Sequence, residues 1–257
     1  MNDASLAALV RRHDPDRFLT ALFAPPDRRN ALLALYAFNH ELARAREVAS
    51  EPTLALIRLH WWREVVEGSV RRHEVATPLT EAIAAGLLAP ADLLAMIDAR
   101  EAEAEPAIET HDAWRTYVRG AYGSLATAAA RLLGAPNPVE FQGFGATYGA
   151  AGLLRSVPVL ARAQRCLLPQ DLLATQGLSV EDAIANPAAK GVRTVIAALA
   201  TEASGWLKTA PNRVQAVAAA LPAVLARRDL TRLDAPPMPR GVGDRLAVTL
   251  AGLTGRI

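Results

Sequence analysis

From Pro25 to Glu47 the chain reads PPDRRNALLALYAFNHELARARE, and this one stretch does most to limit what the protein can fold into. Two prolines set its start, strong helix formers follow, and nothing interrupts them before Pro52. One long helix is expected here, with Asp27 as its N-cap. Tyr36, His40, Ala43 and Glu47 are spaced four, three and four apart and so share a stripe. That stripe is the first candidate for a working face.

The rest of the chain has to fold in company with this helix, and its composition favours more helices. Ala, Leu and Arg abound, and aromatic residues make up 5% of 257. With 51% hydrophobic residues a large core can form, so an all-α single domain over residues 1–257 is expected. A net charge of +2 arises from near-balance, which gives no sign of a nucleic-acid partner but leaves room for a basic patch touching anionic lipid. A single cysteine, Cys166, excludes an intramolecular disulfide and a cysteine-only metal site and fits a reducing compartment. The opening MNDASLAALVRRHD lacks a signal-peptide core. The longest apolar candidate, Val214 to Ala226, is short and holds Pro222. A cytoplasmic protein, peripheral to a membrane at its inner face if it meets one, is the expectation.

Before the long helix, Phe18, Leu19, Leu22 and Phe23 suit a short packed helix, and after Pro52 a helix to Gly68 should bury Leu56, Leu59, Trp62 and Val66. His60 and Glu64 read as a solvated pair one turn apart, and Trp61 and Trp62 as core. Thr77–Pro78 to Gly86 and Pro90–Asp92 to Pro106 frame two further helices. The acids Asp98, Glu101, Glu103 and Glu105 in the second invite a metal-site reading, although a solvated face explains such a run as well. Asp112 is expected to cap a long helix closed by Gly134, whose Gly120, Gly123, Ser124 and Ala128 permit a close neighbour or a ligand. Asn137–Pro138 opens a helix carrying Gly143, Gly145, Gly149 and Gly152, a pattern that points to close packing or a cavity wall, with Pro158 to kink or end it. A turn into a short helix at Pro169, a capping pair at Ser179 and Asp182, two helices between Asn186 and Arg228 broken near Pro211, a loop at 234–239 and a short terminal helix complete the expectation.

Several of these phrases together resemble the squalene and phytoene synthase family, whose enzymes condense two prenyl diphosphates head to head. RRNALLALYAF is similar to the opening of the family's first active-site helix, and TYVRGAYGSLATAAARLLG to its central glycine-containing helix. LLRSVPVLARAQRCLLPQDLL is similar to its second active-site helix and the turn after it, and ALPAVLARRDLTRL to its closing helix. The resemblance implies an isoprenoid-synthase fold, with helices around a central cavity. It also implies two aspartate pairs on facing helices that hold magnesium against the diphosphate. Carried onto this chain, the first pair falls on Ala43 and Glu47 and the second on Ser156 and Leu160, so only Glu47 keeps a carboxylate. Arg155 matches the arginine beside the second motif, Arg28 and Arg29 match basic residues ahead of the first, and His40 a position that is usually basic.

Within the family, AFNHELAR, IRLHWW and LLAMIDARE are most similar to a divergent branch, that of the respiratory complex I assembly factor 6 proteins. This branch also has asparagine and glutamate where the synthases begin their first motif, here Asn39 and Glu41. The resemblance implies a non-catalytic protein that supports complex I assembly or binds a lipid or protein partner, with no cofactor. Two other expectations stand beside it. One is an active head-to-head prenyltransferase with magnesium on Glu47 and on unconventional ligands such as Glu41, Asp98, Glu101 or Glu103; the other is a carrier of isoprenoid or lipid. The candidate ligand site comprises Tyr36, Asn39, His40, Ala43 and Glu47 on one side and Gly149, Gly152, Arg155 and Ser156 on the other.

Overall fold

The computed structural model describes residues 3–49, 51–105, 107–233, 235 and 239–257, and among these the regular structure is helical. In chain order the helices are α1 (Asp3–His13), α2 (Pro15–Ala21), α3 (Pro26–Glu47), α4 (Pro52–Val66), α5 (Ala76–Ala84), α6 (Pro90–Glu101), α7 (His111–Val118), α8 (Ser124–Leu132), α9 (Gln142–Arg162), α10 (Gln170–Thr175), α11 (Val180–Ala185), α12 (Lys190–Lys208), α13 (Val217–Ala220), α14 (Pro222–Leu230) and α15 (Val242–Thr254). The loop expected at 234–239 lies, apart from Ala235 and Pro239, outside the described residues.

Helix α3 is buried on every side from Ala31 to Asn39, as a helix apolar around its circumference must be. It runs through one core with α4, α5, α6 and α8, while α9 anchors a second with α7 and α12. The start of α3 differs from expectation. Pro26 occupies the first helical position and Pro25 the cap, so Asp27 sits inside the first turn beside Arg28 at 3.2 Å and caps nothing. In α4, Leu59, Trp62 and Val66 are buried as expected and Leu56 is exposed. His60 and Glu64 stand 4.0 Å apart in solvent. Trp62 packs edge-on to Phe38 and to the half-buried Trp61.

The cap expected at Asp112 is Thr110, an extended residue whose Oγ1 accepts from the Ala113 amide at 3.1 Å; Asp112 instead pairs with Arg115. The long helix expected beyond it is interrupted by a π-helical turn at Arg119–Gly123. Close neighbours crowd this turn: a Cβ on Gly120 would stand 2.6 Å from Ala99 Cβ, and one on Gly123 2.6 Å from Gln142 Cγ. Helix α9 continues past Pro158 to Arg162, so the proline does not end it. The capping box at Ser179 and Asp182 forms as expected.

Candidate functional site

Between α3, α9 and the π-helical turn lies a cavity of about 280 Å³. Ala43 and Glu47 line it from α3, and Gly149, Gly152, Arg155, Ser156 and Leu160 from α9, so the two predicted stripes do face each other. Tyr36, Asn39 and His40 lie outside the lining. Tyr36 is buried, with the Arg17 guanidinium 5.8 Å from its ring, and burial pushes its phenol up. His40 stacks on His13 with ring centroids 4.5 Å apart, and burial, then His13, holds its imidazole below the usual range. Asn39 supports the site from behind, its Oδ1 accepting from Arg100 at 3.3 Å.

Two ion-pair clusters, which sequence reading did not assemble, form the rest of the wall. In the first, Arg100 meets Glu103 at 2.5 Å, with both side chains no more than 7% exposed. The Tyr117 hydroxyl donates to Glu103 at 2.8 Å, and Arg165 reaches the same carboxylate at 3.3 Å. Burial opposes the charge on Arg100, but Tyr122, Glu103 and Tyr117 outweigh it and keep the guanidinium charged. Burial likewise drives the Tyr117 phenol well up, so it stays a donor. In the second cluster Arg240 bridges Asp16 and Asp229 at 2.6 Å each. Arg155 holds Asp229 at 2.7 Å, and the Tyr148 hydroxyl donates to Asp16 at 3.1 Å. The i, i+3 spacing of Arg100 and Glu103 was a usable local signal. The pairing of Arg240 with Asp16 spans 224 residues and left none.

The acidic lining residues Asp16, Glu47, Glu103 and Asp229 are thus set against the cations Arg100, Arg155, Arg165 and Arg240. Among the described residues Glu47 alone of these four acids has no ion-pair partner. The donor set does not fit magnesium, which needs several oxygen ligands and gathers them with carboxylates. Ala43 and Leu160 offer none, and Ser156, which donates to the Gly152 carbonyl at 2.7 Å, brings a neutral hydroxyl where a carboxylate is wanted. Among the described residues no three His, Cys, Asp or Glu side chains are grouped to hold a metal ion.

The other acids do not join Glu47. Glu41 pairs with Arg44 at 3.0 Å, and Asp98 and Glu101 both bind Arg63 near the surface. The acidic run therefore divides: Asp98, Glu101 and Glu105 are solvated, while Glu103 is core. Arg28 and Arg29 also stand away from the cavity. Arg29 donates to the Leu22 and Ala24 carbonyls at 3.1 and 2.9 Å, closing the turn after α2. A wider open groove of about 1030 Å³ between α9, α12 and α14 shares Arg155 with this cavity and none of the motif positions.

Helices of this order around such a cavity define an isoprenoid-synthase fold. The sequence matches the squalene/phytoene synthase family over residues 10–251, and the chain belongs to that family. The structure is similar to a dehydrosqualene synthase, with a TM-score of 0.81 at 15% identity over 98% of this chain and 95% of that one. It is also similar to the squalene synthase HpnC of Alicyclobacillus acidocaldarius, with a TM-score of 0.66 at 18% identity over 98% and 94%. At such identities the likeness speaks for the fold.

Among sequence relatives the chain is similar to the complex I assembly factor 6 of Mus musculus, 29% identical over 84% of this chain and 68% of that protein. The Homo sapiens protein of the same name is 29% identical over 79% of this chain and 63% of its own length. The Drosophila melanogaster homolog is 28% identical over 79% and 65%. The chain thus spans about two thirds of the length of these relatives.

Proposed function

We propose that this chain is a non-catalytic member of the squalene/phytoene synthase family that supports assembly of a respiratory complex I, acting through a protein partner at the inner face of a membrane. One observation carries the reading: apart from Glu47, the carboxylates of the cavity are held by arginines. A magnesium-assisted departure of diphosphate needs carboxylates free to hold the ion. Likeness to proteins named as complex I assembly factors supports the proposed cellular role.

The test has two arms. Purified protein given farnesyl diphosphate and magnesium is expected to release no diphosphate, and a deletion strain is expected to accumulate incomplete complex I. Diphosphate release abolished by Glu47→Ala would establish the prenyltransferase instead. Saturable prenyl binding without turnover, with normal complex I in the deletion strain, would establish the carrier.

A further inference from the structure

Helix α15 has two apolar faces where the fold uses one. Val248 and Ala251 pack inward with Leu221 and Leu225 of the α13–α14 region, and Gly252 lies against the Phe23 ring. On the opposite side Val242, Leu246, Leu250 and Leu253 are 75, 56, 63 and 76% exposed. At 3.6 residues per turn these four fall within an arc of about 80°, one continuous stripe along the helix. Scattered exposed leucines need no explanation, but a stripe on one face does.

The exposed charges on the helix and at its end are basic. Arg245 flanks it on the helix, and Arg213 and Arg256 meet in a backbone bridge at its far end; all three are exposed and without an ion-pair partner among the described residues. The acid of the helix, Asp244, turns inward, 6% exposed, between Arg228 at 2.5 Å and Arg232 at 3.4 Å.

We propose that the outer face of α15 is a docking surface for an anionic lipid bilayer. Apolar side chains would enter the acyl boundary while the arginines meet lipid phosphates, as in an amphipathic helix lying in the interface plane. Docking this face on a second copy of itself would set arginines against arginines. The proposal rests on the reading of a chain that acts at a membrane face and deepens it, but its test contains no respiratory component, so either can fail without the other.

The full chain is mixed with vesicles of phosphatidylcholine alone, or of phosphatidylcholine with phosphatidylglycerol, and bound protein is read by flotation. Binding to the anionic vesicles is expected, weakening with salt. Leu246→Gln with Leu250→Gln should reduce it by roughly tenfold or more, and Arg245→Gln with Arg256→Gln severalfold. Both variants change exposed side chains, so unchanged circular dichroism and unfolding midpoint are expected and separate lost docking from lost fold. No binding, equal binding to both vesicle types, variants that bind like the parent, or a dimer that Leu250→Gln dissociates would each overturn the proposal.

Discussion

Arg100 shows at the scale of one residue how this cavity is closed. Its guanidinium reaches Glu103, Asn39 and Tyr122 from a site 3% exposed, while its Nε is buried without a partner among the described residues. Removing one member of a buried pair leaves the other charge uncompensated, which costs more than the pair contributes. Arg100→Met is therefore expected to lower stability by about 3 kcal/mol, somewhat limited because Arg165 still reaches Glu103. Urea unfolding measures the loss, and adding Glu103→Gln should recover most of it. His40 predicts a pH dependence. Its imidazole is held below the ordinary value of about 6.5 by burial and by His13. As pH falls past that value the unfolded chain takes the proton first, so stability drops until the folded imidazole titrates as well. Above the ordinary value both states are neutral and the effect vanishes. The unfolding midpoint of the parent should fall more between pH 8 and pH 5 than that of His40→Gln.

Among the elements, α9 separates two uses of glycine that look alike in the sequence. A Cβ on Gly149 would lie 2.2 Å from the Tyr122 ring, whereas one on Gly152 meets nothing within 4 Å. Gly149→Ala is expected to destabilise by about 1–3 kcal/mol through overpacking. Gly152→Ala should stabilise by roughly 0.5–1 kcal/mol, since a helical alanine replaces a helical glycine. Denaturant midpoints of the pair decide whether Tyr122 is as fixed as the geometry implies. The unusual glycine content of this helix was legible from the chain, and its two expected meanings coincide at Gly149, which packs on Tyr122 and lines the cavity, while Gly152 serves the wall alone. Which position serves which could not be read, because that depends on the π-helical turn that carries Tyr122. No propensity within Arg119–Gly123 announces that turn; crowding by Ala99 and Gln142 accompanies it.

Across the whole molecule, Arg240 ties the beginning of the chain to its end. It binds Asp16 from α2 and Asp229 from α14, with Arg155 of α9 completing the cluster. Helices α2 and α14 also touch directly, so the arginine reinforces an existing contact. Arg240→Ala is expected to speed amide exchange in α2 and α14 while leaving α4 and α5 at the parent rate. Equal protection throughout would mean that apolar packing alone holds the two ends. The same cluster governs the site, because it pairs two of the carboxylates that line the cavity with arginines.

Helix content, the facing positions Ala43–Glu47 and Gly149–Leu160 and the isoprenoid-synthase fold followed from the order of residues, whereas the burial of Tyr36 within α3 did not. Each of the former rests on local propensity, helical spacing or motif likeness, which act over a few turns. The tertiary structure alone decided that Glu103 is core while Asp98 and Glu101 are surface, and that His40 turns to His13 and away from the cavity. It also decided that Asp16, Asp229 and Arg240 share one wall. Those outcomes depend on which side chains meet across large sequence separations, where the strength of a charge is set by the burial and the partners that folding supplies.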